Sequence, residues 1–173
     1  MPQPSPASLP FRHHDHHRCI DRALTEAIAL CKQRGVRLTR QRRRVLELVW
    51  ATHQPIGAYE LLAQMAADGD GRPAPPTIYR ALAFLQQQQL IHRIEGMNAY
   101  LGCTQPAAPH TAQFLICDGC RQAAELCDAE INAALHQSGD QLNFAPQQIV
   151  VEIHGLCDRC RRTDDAEAAE STR

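Results

Sequence analysis

The sequence predicts an α+β fold in two parts: an N-terminal winged helix-turn-helix domain, then a small α/β domain stapled by a four-cysteine zinc site. Three observations carry this reading. Residues 19–85 hold successive stretches of helical apolar spacing, and a strand–turn–strand segment follows at 90–102. Two Cys-x-x-Cys knuckles, Cys117-Asp118-Gly119-Cys120 and Cys157-Asp158-Arg159-Cys160, stand 36 residues apart with strand- and helix-like sequence between them. The charge also divides: residues 18–100 carry 12 Arg/Lys against 7 Asp/Glu, and residues 101–173 carry 5 against 11. A basic half joined to an acidic half points to a nucleic-acid face on the basic half, with two ordinarily solvated surfaces as the alternative.

The N-terminal residues 1–17, Pro/Ser/His-rich, read as a disordered tail, and His13-His14-Asp15-His16-His17 falls within it. A first helix is expected over Cys19–Arg34, with Ile20, Leu24, Ile28 and Cys31 on one face and Gly35 ending it. On that reading Cys31 is a small core residue and Cys19 an incidental one. Thr39 is placed to cap a second helix with Arg40, Arg42, Arg43 and Arg44 near its start and Val45, Leu46 and Val49 inward. Arginines at a helix start oppose the helix dipole, so four together suggest an anionic partner or a solvated face. A third helix, Ala58–Ala67, shows Tyr59, Leu62 and Met65–Ala66 at helical spacing, and Asp68–Pro75 is turn chemistry. The fourth helix opens at Pro76 and buries Ile78, Leu82 and Leu85, leaving Thr77, Tyr79 and Arg80 to project elsewhere.

Leu90–Glu95 and Ala99–Gly102 then flank Gly96-Met97-Asn98 as a hairpin. Helices followed by a hairpin are the winged-helix plan, whose fourth element enters the major groove of double-stranded DNA. Arg80 suits bidentate contact with guanine, and Thr77 and Tyr79 suit phosphate contacts. The winged-helix domain is thus read as 18–103, and the proline-bearing 104–109 as a hinge. Beyond it, 110–161 form the second domain: strands at Gln113–Cys117 and Arg121–Cys127, a helix capped by Asp128 and ended by Gly139, and a strand at Gln147–His154. Residues 162–173 read as a second disordered tail.

No signal-peptide pattern opens the chain, and the longest uncharged run contains prolines and amides, so neither export nor a membrane span is expected. Eight cysteines in such a chain argue for metal thiolates over disulfides. The expected location is the cytoplasm, with no membrane partner. Four thiolates from two tight turns complete a closed tetrahedral zinc site. A redox dithiol, the competing reading, wants one such motif at a helix start, whereas both knuckles follow strands. His92, Cys103, His110 and Glu125 form a looser set. Their mixed donors suit zinc, but their spacing leaves open that they are unrelated polar residues.

The run VRLTRQRRRVLELV, then AYELL, PPTIYRALAFL, IHRIEGMNAYLGC, PHTAQFLICDGC and HGLCDRC, resembles in order the ferric uptake regulator superfamily, and within it the zinc uptake regulator branch. The resemblance spans Cys19 to Cys160. It implies a homodimeric, metal-responsive transcriptional repressor of zinc-uptake genes whose C-terminal domain is the dimerisation domain. It also implies Cys117, Cys120, Cys157 and Cys160 as structural zinc ligands and His92, Cys103, His110 and Glu125 as regulatory ones, hence two zinc ions per chain. The His-His-Asp-His run that iron regulators carry before the first knuckle is absent, and Arg40 stands where the family often has proline. Another metal- or peroxide-sensing regulator of the superfamily, or a cytosolic zinc buffer, is the alternative. An enzyme is not expected, because both inferred sites use all four positions on protein ligands. Cys127, His53, His136 and His154 are read as core or surface residues.

Overall fold

The computed structural model describes residues 10–11, 15–68, 74–108 and 110–163. The expected tails fall partly outside this range, as do residues 69–73 of the turn segment and Pro109. Helix enters both expected tails: α1 (His16–Gln33) starts inside the first, and a helical turn over 158–163 enters the second.

Helix α1 buries Leu24, Ala27, Leu30 and Cys31. Ile28, expected inward, is 45% exposed, because the buried stripe advances through Ala27 to Leu30. Thr39 caps α2 (Arg40–Val49) by accepting from the Arg42 N–H, and Val45, Leu46, Leu48 and Val49 face the core. A two-residue strand unforeseen in the sequence, β1 (Ile56–Gly57), leads into α3 (Ala58–Ala67). There Glu60 Oε2 accepts from the Gly57 N–H at 2.9 Å. Tyr59 points outward at 74% exposure; Met65 is buried as expected, and Ala58 and Leu61 share the inner face with it. Helix α4 (Pro75–Gln87) opens on two prolines, whose missing N–H groups have no intrahelical partner to lose at that end. It buries Ile78, Leu82 and Leu85 as expected, and Ala81 with them.

The wing is β2 (Ile91–Ile94) and β3 (Ala99–Gly102), antiparallel and joined through Asn98 in the left-handed region at φ 47°. Strand β1 pairs with the outer edge of β3, giving the order β1-β3-β2. Gly102 lies so close to the Trp50 indole that an added Cβ would collide with the ring. Only glycine lets this ring seal the end of the wing.

The second sheet has the order β5-β4-β6, built from β4 (Gln113–Cys117), β5 (Ala123–Leu126) and β6 (Val151–Gly155). Strand β5 runs antiparallel to β4, and β6 runs parallel to it. Both flanking strands are shorter than expected. Helix α5 (Ala129–Gln141) is longer, running through Gly139 instead of stopping there. Its cap is as expected, with Asp128 Oδ1 accepting from the Glu130 and Ile131 N–H groups at 2.8 and 3.2 Å.

The helical domain holds the large core, with Leu46, Leu61, Ile78, Leu82 and Leu85 among its fully buried side chains. The other core is small and crosses the expected hinge. Ile94 and Leu101 of the wing pack with Phe114, Ile116 and Ala123 of the second sheet. Glu152 on β6 adds a polar tie, its carboxylate accepting from the Glu95 and Gly96 N–H groups at 2.7 and 3.1 Å. No residue of α5 is buried. At about 1.5–3 kcal/mol per buried large side chain, so few residues scarcely offset the ordering of some fifty more. The second domain therefore needs a metal staple or a partner surface.

Candidate metal centres and nucleic-acid face

Strand β4 ends at Cys117, the chain turns through Arg121 in the left-handed region (φ 62°), and β5 returns alongside. The parallel register sets Cys117 opposite Gly155, and the Asp118 N–H donates to the Gly155 carbonyl at 2.8 Å. That bond brings the second knuckle against the first. The Sγ atoms of Cys117, Cys120, Cys157 and Cys160 all lie within 4.8 Å of one another. Gly119 permits the approach, since an added Cβ would meet Cys160 Cβ and Sγ at 3.0 Å. Cys120 and Cys157 sulfurs are 3.9 Å apart, against about 3.8 Å for the edge of a tetrahedral zinc thiolate. Burial pushes the Cys117 thiol up, but hydrogen bonds from Cys120 and Cys157 outweigh it and bring its pKa down to about 6. The four sulfurs fit a closed cation site.

A second cluster forms where the two parts of the chain meet. His92 comes from β2, Cys103 follows β3, His110 follows the proline-bearing segment 104–109, and Glu125 sits on β5. Glu125 is only 2% exposed. Its Oε1 lies 2.8 Å from His92 Nε2 and 2.6 Å from His110 Nε2, and those nitrogens are 3.2 Å apart. Cys103 Sγ is 3.5 Å from His110 Nε2 and 3.9 Å from Glu125 Oε1. Tetrahedral zinc would set two nitrogens about 3.3 Å apart and a sulfur about 3.5 Å from a nitrogen. Those edges match, while the carboxylate sits closer, at hydrogen-bond distance. The donors therefore fit a zinc ion.

Around them stand residues that sequence reasoning missed. Thr104 donates its N–H and its Oγ1–H to Glu125 Oε2 at 2.6 and 2.7 Å. Ala108 O stands 2.9 Å from His110 Nδ1, leaving Nε2 to face the cluster. Burial raises the Glu125 carboxyl, but hydrogen bonds from His92 and Thr104 overcome it and hold its pKa at about 2. Burial and the Glu125 charge push Cys103 well above the usual thiol range and Cys127 up to about 12. Cys127 keeps its proton and donates to Glu125 Oε1 at 3.6 Å, outside the four-donor group. Position two residues after Glu125, directly past the end of β5, was the available signal for Cys127; nothing local marked Thr104.

His154 pairs with Asp118 at 3.0 Å and joins no metal-type group among the described residues. Cys19 and His53, expected to be incidental, do: they lie with His16 in a third group of ligand atoms. Tertiary contact alone brings residues this far apart in sequence together.

On α4, Tyr79 and Arg80 are exposed and Thr77 is half-buried near the helix start. Arg40 is exposed on the first turn of α2. Arg42, expected on the same nucleic-acid face, is instead half-buried. Its guanidinium lies 3.6 Å over the Phe84 ring and donates to the Arg37 carbonyl at 2.7 Å. A planar cation stacks well on an aromatic face, so Arg42 braces α4 against α2. Arg43 and Arg44 pair with Glu47, and Arg44 also with Asp68.

A winged helix joined at a four-donor cluster to a cysteine-knuckled α/β domain defines a metal-holding winged-helix protein. The ferric uptake regulator family model matches residues 33–154. The zinc uptake regulation protein of Escherichia coli K12 is 39% identical over 140 residues, covering 79% of this chain and 80% of that one. Its counterpart from Mycobacterium tuberculosis H37Rv is 28% identical over 130 residues, covering 73% and 96%. A solved zinc uptake regulator complexed with zinc and DNA superposes with a TM-score of 0.79 at 36% identity, covering 84% of this chain and 97% of that one. The holo form of XcZur gives 0.73 at 39% identity, covering 80% and 96%. The chain belongs to the ferric uptake regulator family, in its zinc uptake regulator branch. Among the described residues no helix is long and apolar enough to cross a membrane.

Proposed function

We propose that this protein is a cytoplasmic, zinc-responsive transcriptional repressor that binds operator DNA as a homodimer and controls zinc-uptake genes. One observation carries the proposal: four metal-type donors from the wing, from the segment just after the proline-bearing connector and from β5 converge within 4.8 Å at the joint between the two domains. His92, Cys103, His110 and Glu125 hold the regulatory zinc, and the four knuckle cysteines hold a structural one, two per chain. With all four positions of each site taken by protein, neither is open for catalysis. Zinc, when bound, supplies the Lewis-acidic charge that all four regulatory donors share.

The residues do the rest. His92 and Cys103 are anchored in the wing, Glu125 in the second sheet, and Thr104 locks the Glu125 carboxylate from the hinge. Holding these donors together removes hinge freedom between 18–103 and 110–161. It thereby sets the two α4 helices of a dimer about one DNA turn apart. Tighter zinc binding to that arrangement shifts the population toward it, and a hundredfold rise in DNA affinity needs about 2.7 kcal/mol of coupling. Arg80 reads base edges, and Thr77, Tyr79 and Arg40 hold phosphates. Leu135, Leu142, Phe144, Val150, Ile153 and Leu156 are large exposed apolar side chains on the second domain, which supports that domain as the dimer surface.

Zinc titration against operator DNA, selected from a random pool by the zinc-loaded protein, tests the clip. Cys103→Ser is expected to keep the fold and the knuckle zinc while its DNA affinity stays flat across the titration. Curves superimposable on wild type would overturn the proposal.

A further inference from the structure

The third group of ligand-type side chains lies on the other flank of the same joint. His16 and Cys19 are one turn apart at the start of α1, which puts them on one face. His53 reaches them from the loop between α2 and β1, and the three ligand atoms lie within 4.8 Å of one another. The two imidazoles are tilted 58° with centroids 4.3 Å apart. All three residues are half-buried, and Cys19 packs against the helical core. The loop is held in place by the second domain. The His53 carbonyl accepts from the Ala123 N–H of β5 at 2.8 Å, and Gln54 Nε2 donates to the Cys120 carbonyl at 2.9 Å. A cavity of about 80 Å³ is lined by Cys19 and His53 together with Cys103 and Glu125.

We propose that His16, Cys19 and His53 form a third zinc site, bracing the first turns of α1 against a loop docked on the C-terminal domain. Two borderline imidazoles and a soft thiolate make a donor set that suits zinc(II). Three protein ligands leave one position for water, so the site is weaker and faster to exchange than the two four-donor clusters. Zinc binding here displaces the Cys19 thiol proton to solvent. The site stands on side-chain placement alone and needs no assumption about DNA or repression.

The test uses the full chain, equilibrated with graded free zinc and counted by native mass spectrometry. Wild type should take up one equivalent beyond the one lost in Cys103→Ser and the one that resists mild chelation. Cys19→Ser and His53→Gln should each lose that equivalent, with a thermal midpoint unchanged when no zinc is added. Cobalt(II) loading should show thiolate-to-metal absorption that falls by the Cys19 share in Cys19→Ser. Amide exchange in the first turns of α1 and in residues 51–54 should slow on binding in wild type and not in Cys19→Ser. A chain substituted at His13, His14 and His17 together with glutamine should keep the equivalent. Its loss there, its survival in both Cys19→Ser and His53→Gln, or its absence from wild type would each overturn the proposal. The first of these would assign the metal to the histidine-rich segment instead.

Discussion

Replacing Glu125 by Gln tests the clip at its most buried member. The side chain is 2% exposed, and its oxygens face His92, His110 and both donors of Thr104. Gln keeps the shape but exchanges one acceptor oxygen for an NH2. If the amide oxygen stays toward the histidines, its NH2 meets the Thr104 N–H, donor against donor; if it flips, the histidines lose their acceptor. The carboxyl pKa falls from 4.5 to about 2 in the fold, and a shift of that size corresponds to roughly 3 kcal/mol favouring the ionised form. Because the folded pKa is the lower one, this stability is fully present above about pH 4.5 and is lost as pH falls toward 2. Thiolate zinc sites lose their metal on acidification, so the comparison belongs at neutral pH. Mild chelation should remove the regulatory zinc and leave the knuckle zinc. Urea unfolding of protein treated in this way should then place Glu125→Gln about 2–3 kcal/mol below wild type. Re-adding zinc should restore wild type alone to its full metal content. Equal unfolding midpoints with equal zinc recovery would refute the argument that this carboxylate organises the joint.

Arg80→Ala should weaken operator binding by on the order of 1–3 kcal/mol and relax preference at one base position, as read by competition with single-base operator variants. Unchanged binding would remove α4 as the reader. Cys157→Ser should leave an unfolded or monomeric second domain, because a broken tetrahedral thiolate site forfeits folding energy and the core beside it is small; proteolysis and sedimentation check this, and a stable dimer would count against it. Ile153→Asp, on the exposed apolar surface of β6, should shift the protein to monomer in sedimentation while keeping both zinc ions. A dimer that persists would move the interface off this strand.

Much of this was legible from local chemistry. Thr39, Pro76 and Asp128 mark helix starts because each solves the problem of unpaired backbone N–H groups within a few residues. The Cys-x-x-Cys knuckles announce themselves because one turn supplies two ligands, so spacing alone carries the chemistry. Apolar periodicity placed Val45, Leu46, Ile78 and Leu82 inside, but it misplaced Ile28 and Tyr59. A helix stripe names a face only to within a residue or so, and the neighbouring element decides which side chain is covered. Helix α5 outran Gly139 because a glycine weakens a helix without having to end it.

Tertiary structure alone decided the joint. His92, Cys103, His110 and Glu125 became a candidate set through family resemblance, since no local rule links positions so far apart. Their convergence depends on the register of β2 with β3 and of β4 with β5, and on the small core that Ile94 and Leu101 share with Phe114. The same packing turned Arg42 inward onto Phe84 and carried His53 to His16 and Cys19. Local sequence can state which donors exist and which backbone they ride on. Whether their atoms come within coordination distance depends on long-range strand pairing and side-chain packing, which no window of neighbouring residues contains.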